Sequence, residues 1–204
     1  MLVAITLSVN AFAKQSGSKY YVDGFYNSTL QATSLRQSYT GANYSCGPTS
    51  LLFIKNYHWR KQFNFKPQFA YDPTSALQEL QRMYQDLPVG YNQVTTTTQL
   101  KNYVLDEWYG WTAVKADGND SIATNLGYLK NKLKQDYPAI IALEPSYYGN
   151  PIPGYAHIVI IYEYDTNSQE ITYFDPYYGG KHTIGVSNIS SAIQGNLPYL
   201  RIAP

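Results

Sequence analysis

The only cysteine of the sequence, Cys46, stands where a nucleophile is expected. It lies within Tyr44-Ser45-Cys46-Gly47-Pro48-Thr49-Ser50, at the start of a segment whose apolar residues recur at helical spacing. A thiol at a helix N-terminus sits at the positive end of the peptide dipole, which favours the thiolate. A small buried core residue is the commoner role of a lone cysteine, so this segment alone leaves both interpretations open.

A nucleophilic cysteine needs a base to accept its proton, and the sequence offers three histidines. His58 falls near the far end of the helix that Cys46 begins, about 18 Å away by helical rise, where we expect it to interact with the helix C-terminus. His182 lies in a polar strand and is expected to face solvent. His157 opens the most apolar strand of the chain, directly after a loop rich in proline and glycine, and is therefore the candidate base.

Asp175 is the candidate for the group that orients the histidine. Residues 156–164 and 170–174 predict a β-hairpin with a turn at 165–168, and such a hairpin brings Asp175 back beside the start of the first strand. An Asp-Pro pair is also a common strand-ending turn, which is the structural alternative. The agreement of three features on one geometry favours a site made of Cys46, His157 and Asp175.

The elements that must position these residues follow a simple order. Residues 14–45 predict one or two short strands and a loop, and the helix that follows Cys46 is expected to end near His58-Trp59. Asp72-Pro73 and Thr97 or Thr98 predict two further helix starts, and Ile122 to Leu133 has amphipathic helical spacing. Strands are predicted at 111–114, 138–143, 156–164, 170–174, 182–186 and 199–202, with a short helix at 187–193. Helices followed by antiparallel strands predict an α+β fold.

Length and composition exclude several classes of function. A chain of 204 residues suits a single domain. With a net charge of +1 and no basic stripe, it is not expected to bind nucleic acid. Asp117-Gly118-Asn119-Asp120 lacks the spacing of a calcium loop, so no metal or cofactor is expected. The 22 tyrosines indicate either a substrate groove or a compositional habit of the source organism.

The N-terminal segment 1–13 is apolar and ends in Ala11-Phe12-Ala13, as a signal peptide does. It lacks a positively charged start, so the signal is expected to be incomplete there; a buried first strand is the alternative. The mature chain, 14–204, is then a single domain, secreted or periplasmic, with no membrane association after signal removal. A free thiol in an oxidising compartment is a liability, which favours a functional role for Cys46.

Three blocks carry a resemblance to a known family: Cys46-Gly47-Pro48-Thr49-Ser50-Leu51, Ala156-His157-Ile158-Val159-Ile160 and Ile171-Thr172-Tyr173-Phe174-Asp175-Pro176. In order and spacing, from Gln37 to about Ile193, they resemble the C39-like branch of the papain-like cysteine peptidases. The resemblance implies a papain-like fold, with an N-terminal helical part packed on a C-terminal antiparallel sheet. It also implies that Cys46 is the nucleophile, His157 the general base and Asp175 the orienting acid.

The oxyanion donor implied by the resemblance is a glutamine about six residues before the cysteine. Position 40 is a threonine here, and the nearest upstream glutamine is Gln37, nine residues before Cys46. A small loop insertion that still brings Gln37 to the site is one possibility, and Asn43 in its place is the other. The backbone N–H of Cys46 supplies the second donor in either case.

The function implied is that of a secreted cysteine peptidase or amidase that acts on a peptide or protein through a thioester acyl-enzyme. Tyr147, Tyr148 and Tyr155, together with Tyr177-Tyr178, fall in loops that border His157 and Asp175 and are expected to line the substrate groove. Two alternatives share the same residues. One is a catalytically silent module that binds peptide or glycan, and the other is an acyl or peptidyl transferase.

Overall fold

The fold is that of a computed structural model, which describes residues 15–30, 32–64, 72–116, 119–144, 156–193 and 198–204. Its α-helices are α1 (Phe25–Leu30), α2 (Gln37–Thr40), α3 (Cys46–Phe63), α4 (Pro73–Asp86), α5 (Thr97–Glu107), α6 (Ile122–Leu133) and α7 (Ile189–Ala192). Its strands are β1 (Gln15–Ser16), β2 (Lys19–Tyr21), β3 (Thr112–Lys115), β4 (Ala139–Leu143), β5 (His157–Asp165), β6 (Glu170–Phe174), β7 (Lys181–Gly185) and β8 (Leu200–Ala203). Short 3-10 turns occupy Thr33–Leu35 and Val186–Asn188.

Helix α3 is the buried axis of the helical part. Every residue from Cys46 to Ile54 is buried, and the helix runs four residues beyond the predicted end. It stops at Asn64, whose φ of 49° is the left-handed conformation that commonly follows a helix. A helix buried on most sides has no polar face to mark its limits, which explains why its end was predicted too early.

The helices around α3 begin at side-chain caps. Asp72 accepts hydrogen bonds from the backbone N–H groups of Thr74 and Ser75, as the Asp-Pro pattern predicted for α4. Helix α5 is capped by Thr96 rather than by Thr97 or Thr98, and Gln99 completes a reciprocal capping box. Four threonines stand in a row at 95–98, and Gln99, three residues after Thr96, decides which one serves as the cap.

The stretch before Cys46 is more helical than predicted. It holds two short strands, as expected, but then α1, a 3-10 turn and α2 where a loop was predicted. Each of these helices has few apolar anchors, such as the fully buried Phe25 and Leu35. Elements of four to six residues show too little periodicity to be seen in the sequence, because packing rather than propensity stabilises them.

The eight strands of the described chain form one antiparallel sheet, and β5 is its central strand. On one edge β5 pairs with β4 through His157–Ile161 and with β2 through Glu163–Asp165. On the other edge it pairs with β6, which pairs in turn with β7. Strand β8 joins β4 to β3. Helix α3 packs against β5, and its Phe53 ring also meets the Phe174 ring of β6, with centroids 4.8 Å apart. The predicted α+β architecture is confirmed.

No helix within the described ranges is both long enough and apolar enough to cross a membrane. The segment predicted as a signal peptide, residues 1–13, lies outside the described residues.

Candidate active site

Cys46 is the first residue of α3, at the helix end with unsatisfied N–H groups. The preceding Ser45 makes no side-chain cap within the described structure. Its hydroxyl instead lies 2.6 Å from the Ala42 carbonyl and 3.1 Å from Thr49 Oγ1. The start of α3 carries the positive end of the helix dipole, which attracts negative charge on the thiol or on a substrate oxygen.

Gly47 is required here by close packing rather than by a tight turn. A Cβ at this position would overlap with the Thr95 side chain and lie 2.9 Å from Leu100 Cδ1 and 3.2 Å from Ile158 Cδ1. The glycine thus lets the start of α3 come into contact with β5, the strand that carries His157. Pro48 is the third helical residue, and its missing N–H is one that the helix would leave unsatisfied.

His157 and Asp175 form a buried hydrogen-bonded pair. His157 Nε2 lies 2.8 Å from Asp175 Oδ1, and the two side chains are 2% and 0% exposed. The same carboxylate oxygen accepts a 2.7 Å hydrogen bond from the backbone N–H of Tyr177. Asp175 is therefore held from two directions, and it fixes the orientation of the imidazole ring.

A register shift in the hairpin puts these two residues on the same face. Strands β5 and β6 pair Glu163 with Thr172 but Ile161 with Tyr173, so one residue, Tyr162, is inserted as a bulge. Continued past Phe174, the shifted register sets Asp175 opposite Val159, whose side chain points to the same face as that of His157. Without the bulge Asp175 would lie opposite Ile160 and point to the other face, because a one-residue slip inverts every side chain.

The electrostatic environment of His157 is set by two acidic neighbours. Burial by itself would lower the pKa of His157, but hydrogen bonds to Asp175 and to the Cys46 side chain, with the charges of both groups, raise it to about 9. Since Asp175 occupies Nε2, the other ring nitrogen is the one left for the sulfur. The geometry can therefore hold His157 as an imidazolium at neutral pH, with the Cys46 side chain as its second hydrogen-bond partner.

Gln37 lies near this pair and its amide is engaged in the approach to Cys46. Its backbone N–H donates to the Pro176 carbonyl at 3.1 Å, which ties α2 to the turn after β6. Its side-chain Nε2 donates to the carbonyls of Ala42 and Asn43 at 3.2 and 2.9 Å. Its Oε1 is buried and has no hydrogen-bond partner among the described residues. In this conformation Gln37 shapes the loop before the cysteine.

The other two histidines lie elsewhere, and their environments differ from those expected. His58 is buried, and burial, followed by the charge of Lys61, lowers its pKa to about 3, so it is a neutral core residue and not a charged partner of the helix C-terminus. His182 is half-buried and stacks on Tyr173 with centroids 5.4 Å apart, rather than facing solvent.

The loop between α4 and α5 lies beside Cys46, and this position was not predicted. Together with Tyr44, its residues Asn92, Gln93 and Val94 line a cavity of about 390 Å³. Asn92 Oδ1 accepts the Tyr44 N–H at 2.8 Å, and the Tyr84 hydroxyl donates to the Gln93 carbonyl at 2.9 Å. Burial raises the pKa of Tyr84, and the charge of Cys46 adds to the effect. The sequence marks a loop at 87–91, but no sequence signal places it beside the cysteine, because tertiary packing alone does so.

Among the tyrosines predicted to line a groove, Tyr147, Tyr148 and Tyr155 lie outside the described residues. Tyr177 and the exposed Tyr178 are placed directly after Asp175, and the Tyr177 hydroxyl donates to Asn43 Oδ1 at 3.4 Å. This contact joins the loop before Cys46 to the turn after Asp175. Within the described ranges, no cluster of three or more His, Cys, Asp or Glu side chains is placed to hold a metal ion.

Comparison with known protein families gives a match. The family model described as "Peptidase_C39 like family" matches residues 29–192, a range that includes Gln37, Cys46, His157 and Asp175. A search of curated proteins finds no match.

Proposed function

This chain belongs to the Peptidase_C39 like family, and from that premise we propose that it is a cysteine peptidase or amidase whose catalytic residues are Cys46, His157 and Asp175. The observation that carries the proposal is the double engagement of His157, which is hydrogen-bonded to Asp175 on one side and to the Cys46 side chain on the other. A buried carboxylate, an imidazole and a thiol in sequence are the arrangement that activates a cysteine nucleophile.

The reaction proposed is acyl transfer to water. The Cys46 thiolate adds to the carbonyl carbon of a peptide or amide bond, and the new C–S bond gives a tetrahedral oxyanion. The imidazolium of His157 then protonates the leaving nitrogen, the C–N bond breaks and an amine departs. In the second half, neutral His157 takes a proton from water, whose oxygen attacks the thioester, and the C–S bond breaks to release a carboxylic acid and the thiolate.

Asp175 acts in this scheme as a fixed acceptor. Its carboxylate accepts the Nε2 hydrogen of His157 and stabilises the imidazolium that exists before attack and after deacylation. The N–H of Tyr177, 2.7 Å from the same oxygen, prevents the carboxylate from rotating away. Preorganisation of this kind avoids a reorganisation cost during the reaction.

The proposed oxyanion donors are the N–H of Cys46 and one N–H of Gln37. The Ala42 carbonyl already accepts from the Ser45 N–H at 3.1 Å and from the Ser45 hydroxyl at 2.6 Å, so its 3.2 Å bond to Gln37 is the third on an acceptor with two lone pairs. The bond to Ala42 is therefore the weaker of the two that Gln37 Nε2 makes, and the side chain can give it up at little cost when it places an N–H on a substrate oxygen.

The same proposal includes the organisation and destination of the chain. The pattern of residues 1–13 supports a signal peptide, and residues 14–204 are then one catalytic domain that is secreted or periplasmic and acts on peptide or protein substrates. N-terminal sequencing of the exported protein tests this part, and a mature chain that starts near Lys14 is the expected result.

The test of the proposal compares the wild-type protein with Cys46→Ala. We expect the wild type to hydrolyse fluorogenic peptides and to react with iodoacetamide at pH 6 faster than free cysteine does, because a histidine hydrogen-bonded to the thiol activates it as a nucleophile. Cys46→Ala should abolish both, and labelling reports on one site because the sequence has no second cysteine.

Two outcomes would contradict hydrolysis. An ordinary labelling rate together with peptide binding that survives Cys46→Ser would indicate a silent binding module. Acyl products formed on an added amine such as glycinamide, in preference to free acids, would instead indicate a transferase.

A further inference from the structure

A second cavity, of about 360 Å³, lies between the edge of the sheet and helix α6, and the proposed function does not use it. Its walls combine cationic and aromatic side chains with one carboxylate: Lys115, Lys132, Arg201, Tyr128, Tyr199 and Asp120. The cations come from three separate elements, β3, α6 and β8, so the fold rather than local sequence gathers them.

The cavity is remote from the cysteine site. Arg201 pairs with Ala139 at the start of β4, whereas His157 pairs with Leu143 at its end. At about 3.3 Å per residue, the two positions are roughly 13 Å apart along that strand. A ligand in this cavity therefore does not occupy the position of the scissile bond.

The positive charge of the walls is not neutralised by ion pairs among the described residues, although the Arg201 guanidinium lies over the Tyr137 ring, 5.7 Å from its centroid. Within the described ranges, none of the three cations forms an ion pair, and Lys132 Nζ donates only to the amide oxygen of Gln135, at 3.3 Å. Asp120 is the one carboxylate in the lining, so an excess of two positive charges faces the cavity. Such an excess attracts a dianion.

Two further observations locate the centre of this excess at Lys132 and Arg201. The Nε of Arg201 is buried and, in the part of the chain that the structure describes, has no hydrogen-bond partner. Burial, and then the charge of Arg201, lowers the pKa of Lys132, so the two cations lie close enough to repel each other. An acceptor placed between them would satisfy the buried N–H and relieve the repulsion.

We propose that this cavity binds a small phosphorylated ligand, with the phosphate between Lys132 and Arg201 and the organic part against Tyr128 and Tyr199. A phosphate monoester carries nearly two negative charges and several strong acceptors, which matches the excess charge and the fork of the guanidinium. Tyr199 is buried and Tyr128 is exposed, so a ring such as that of a sugar can pack against Tyr199 inside the cavity and against Tyr128 at its opening.

Isothermal titration calorimetry with the full chain tests the proposal. The ligands are inorganic phosphate, glucose 6-phosphate, glucuronate and glucose, each titrated at low and at 0.3 M NaCl. We expect saturable 1:1 binding of glucose 6-phosphate, weaker binding of phosphate and of glucuronate, and none of glucose. The affinity should fall as salt rises, because charge contributes most of it.

Matched variants localise the binding. Lys132→Gln should weaken glucose 6-phosphate binding about 10- to 100-fold, as expected for the loss of a charge-assisted hydrogen bond. Arg201→Lys, which keeps the charge but removes the Nε–H, should weaken it about 10-fold. Lys130→Gln is the control, because Lys130 lies on the same helix but over the Tyr20 ring, at 5.6 Å, and does not line the cavity.

The outcomes separate clearly. Unchanged binding by Lys130→Gln and by Cys46→Ala supports a phosphate site independent of the cysteine. Absence of saturable binding, equal weakening by Lys130→Gln and Lys132→Gln, or tighter binding of glucuronate than of glucose 6-phosphate would overturn the proposal. Loss of binding in Cys46→Ala would place the ligand at the cysteine site instead.

Discussion

Two buried histidines lie at opposite ends of helix α3, and their pKa values are shifted in opposite directions. At its start, Cys46 contacts His157, which is 2% exposed and has a pKa raised to about 9. Near its end lies His58, which is 5% exposed and has a pKa lowered to about 3. Burial acts in the same direction at both, because it disfavours the charged imidazolium.

The difference comes from the groups that face each ring. His157 has a carboxylate at 2.8 Å and a thiol, whereas His58 is packed edge-on against Trp111 at 5.4 Å and close to Tyr57 and Tyr137. The Nε2 of His58 has no hydrogen-bond partner among the described residues, and its charged neighbour, Lys61, has the wrong sign to stabilise an imidazolium. Burial of a histidine is therefore no sign of function here, and an acidic partner is.

Removal of that partner should have the largest effect. In Asp175→Asn, His157 loses its charged acceptor, so its pKa should fall from about 9 in the direction that burial favours. We expect kcat/KM for peptide hydrolysis to fall about 10²- to 10⁴-fold, mostly in kcat, since acid–base catalysis and ring orientation are lost together. The pH dependence of iodoacetamide labelling should lose the imidazolium-dependent limb that extends towards pH 9.

Asp165→Asn is the matched control, because Asp165 lies on the same hairpin at the opposite end of β5. Its activity should stay within about twofold of the wild type, as for an ordinary surface substitution. If Asp175→Asn kept full activity and an unchanged labelling profile, the carboxylate would not be what distinguishes the two histidines.

The sequence predicted that Asp175 lies near His157 because turn and strand patterns within residues 156–175 determine the hairpin that carries both. The turn at residues 165–168 specifies a hairpin, and a hairpin returns Asp175 to the neighbourhood of His157. The bulge at Tyr162 could not be predicted, since residues 158–162 form an unbroken apolar run whose two faces look alike in the sequence. Yet that single inserted residue decides whether the aspartate and the histidine share a face.

The sequence was misleading at the end of α3 for a related reason. His58 follows a regular helical pattern, and its position near the helix C-terminus favoured a charged role. The aromatic rings that surround it come from residues 111 and 137, more than fifty positions away, and only tertiary packing brings them together. The position of the loop of Asn92 and Gln93 beside Cys46 was missed for the same reason.

A smaller loss of activity is expected from Gln37→Ala. This variant tests whether the hydrogen bonds near the start of α3 serve catalysis, in contrast to the aromatic packing near its end. Loss of one oxyanion donor typically lowers kcat about 10²- to 10³-fold, and we expect a fall in this range with KM changed less than about threefold. Asn43→Ala is the comparison variant, because it leaves the Gln37 side chain in place. A loss of kcat in Asn43→Ala and not in Gln37→Ala would assign the donor role to Asn43.

The smallest effect on activity, and a distinct effect on stability, is expected from His58→Phe. Between pH 3 and 6.5 the unfolded chain binds a proton at His58 that the folded chain does not, so wild-type stability should rise with pH over this range. Phenylalanine suits the aromatic surroundings and removes this titration, so thermal unfolding of His58→Phe should depend less steeply on pH below 6.5, while peptide hydrolysis stays within about twofold. His157 provides the internal control, because its raised pKa makes the folded chain bind the extra proton between pH 6.5 and about 9. The stability that His157 contributes should therefore be lost as pH rises through that range, in the wild type and in His58→Phe alike. If His58→Phe also removed this loss of stability above pH 6.5, the two histidines would not titrate independently.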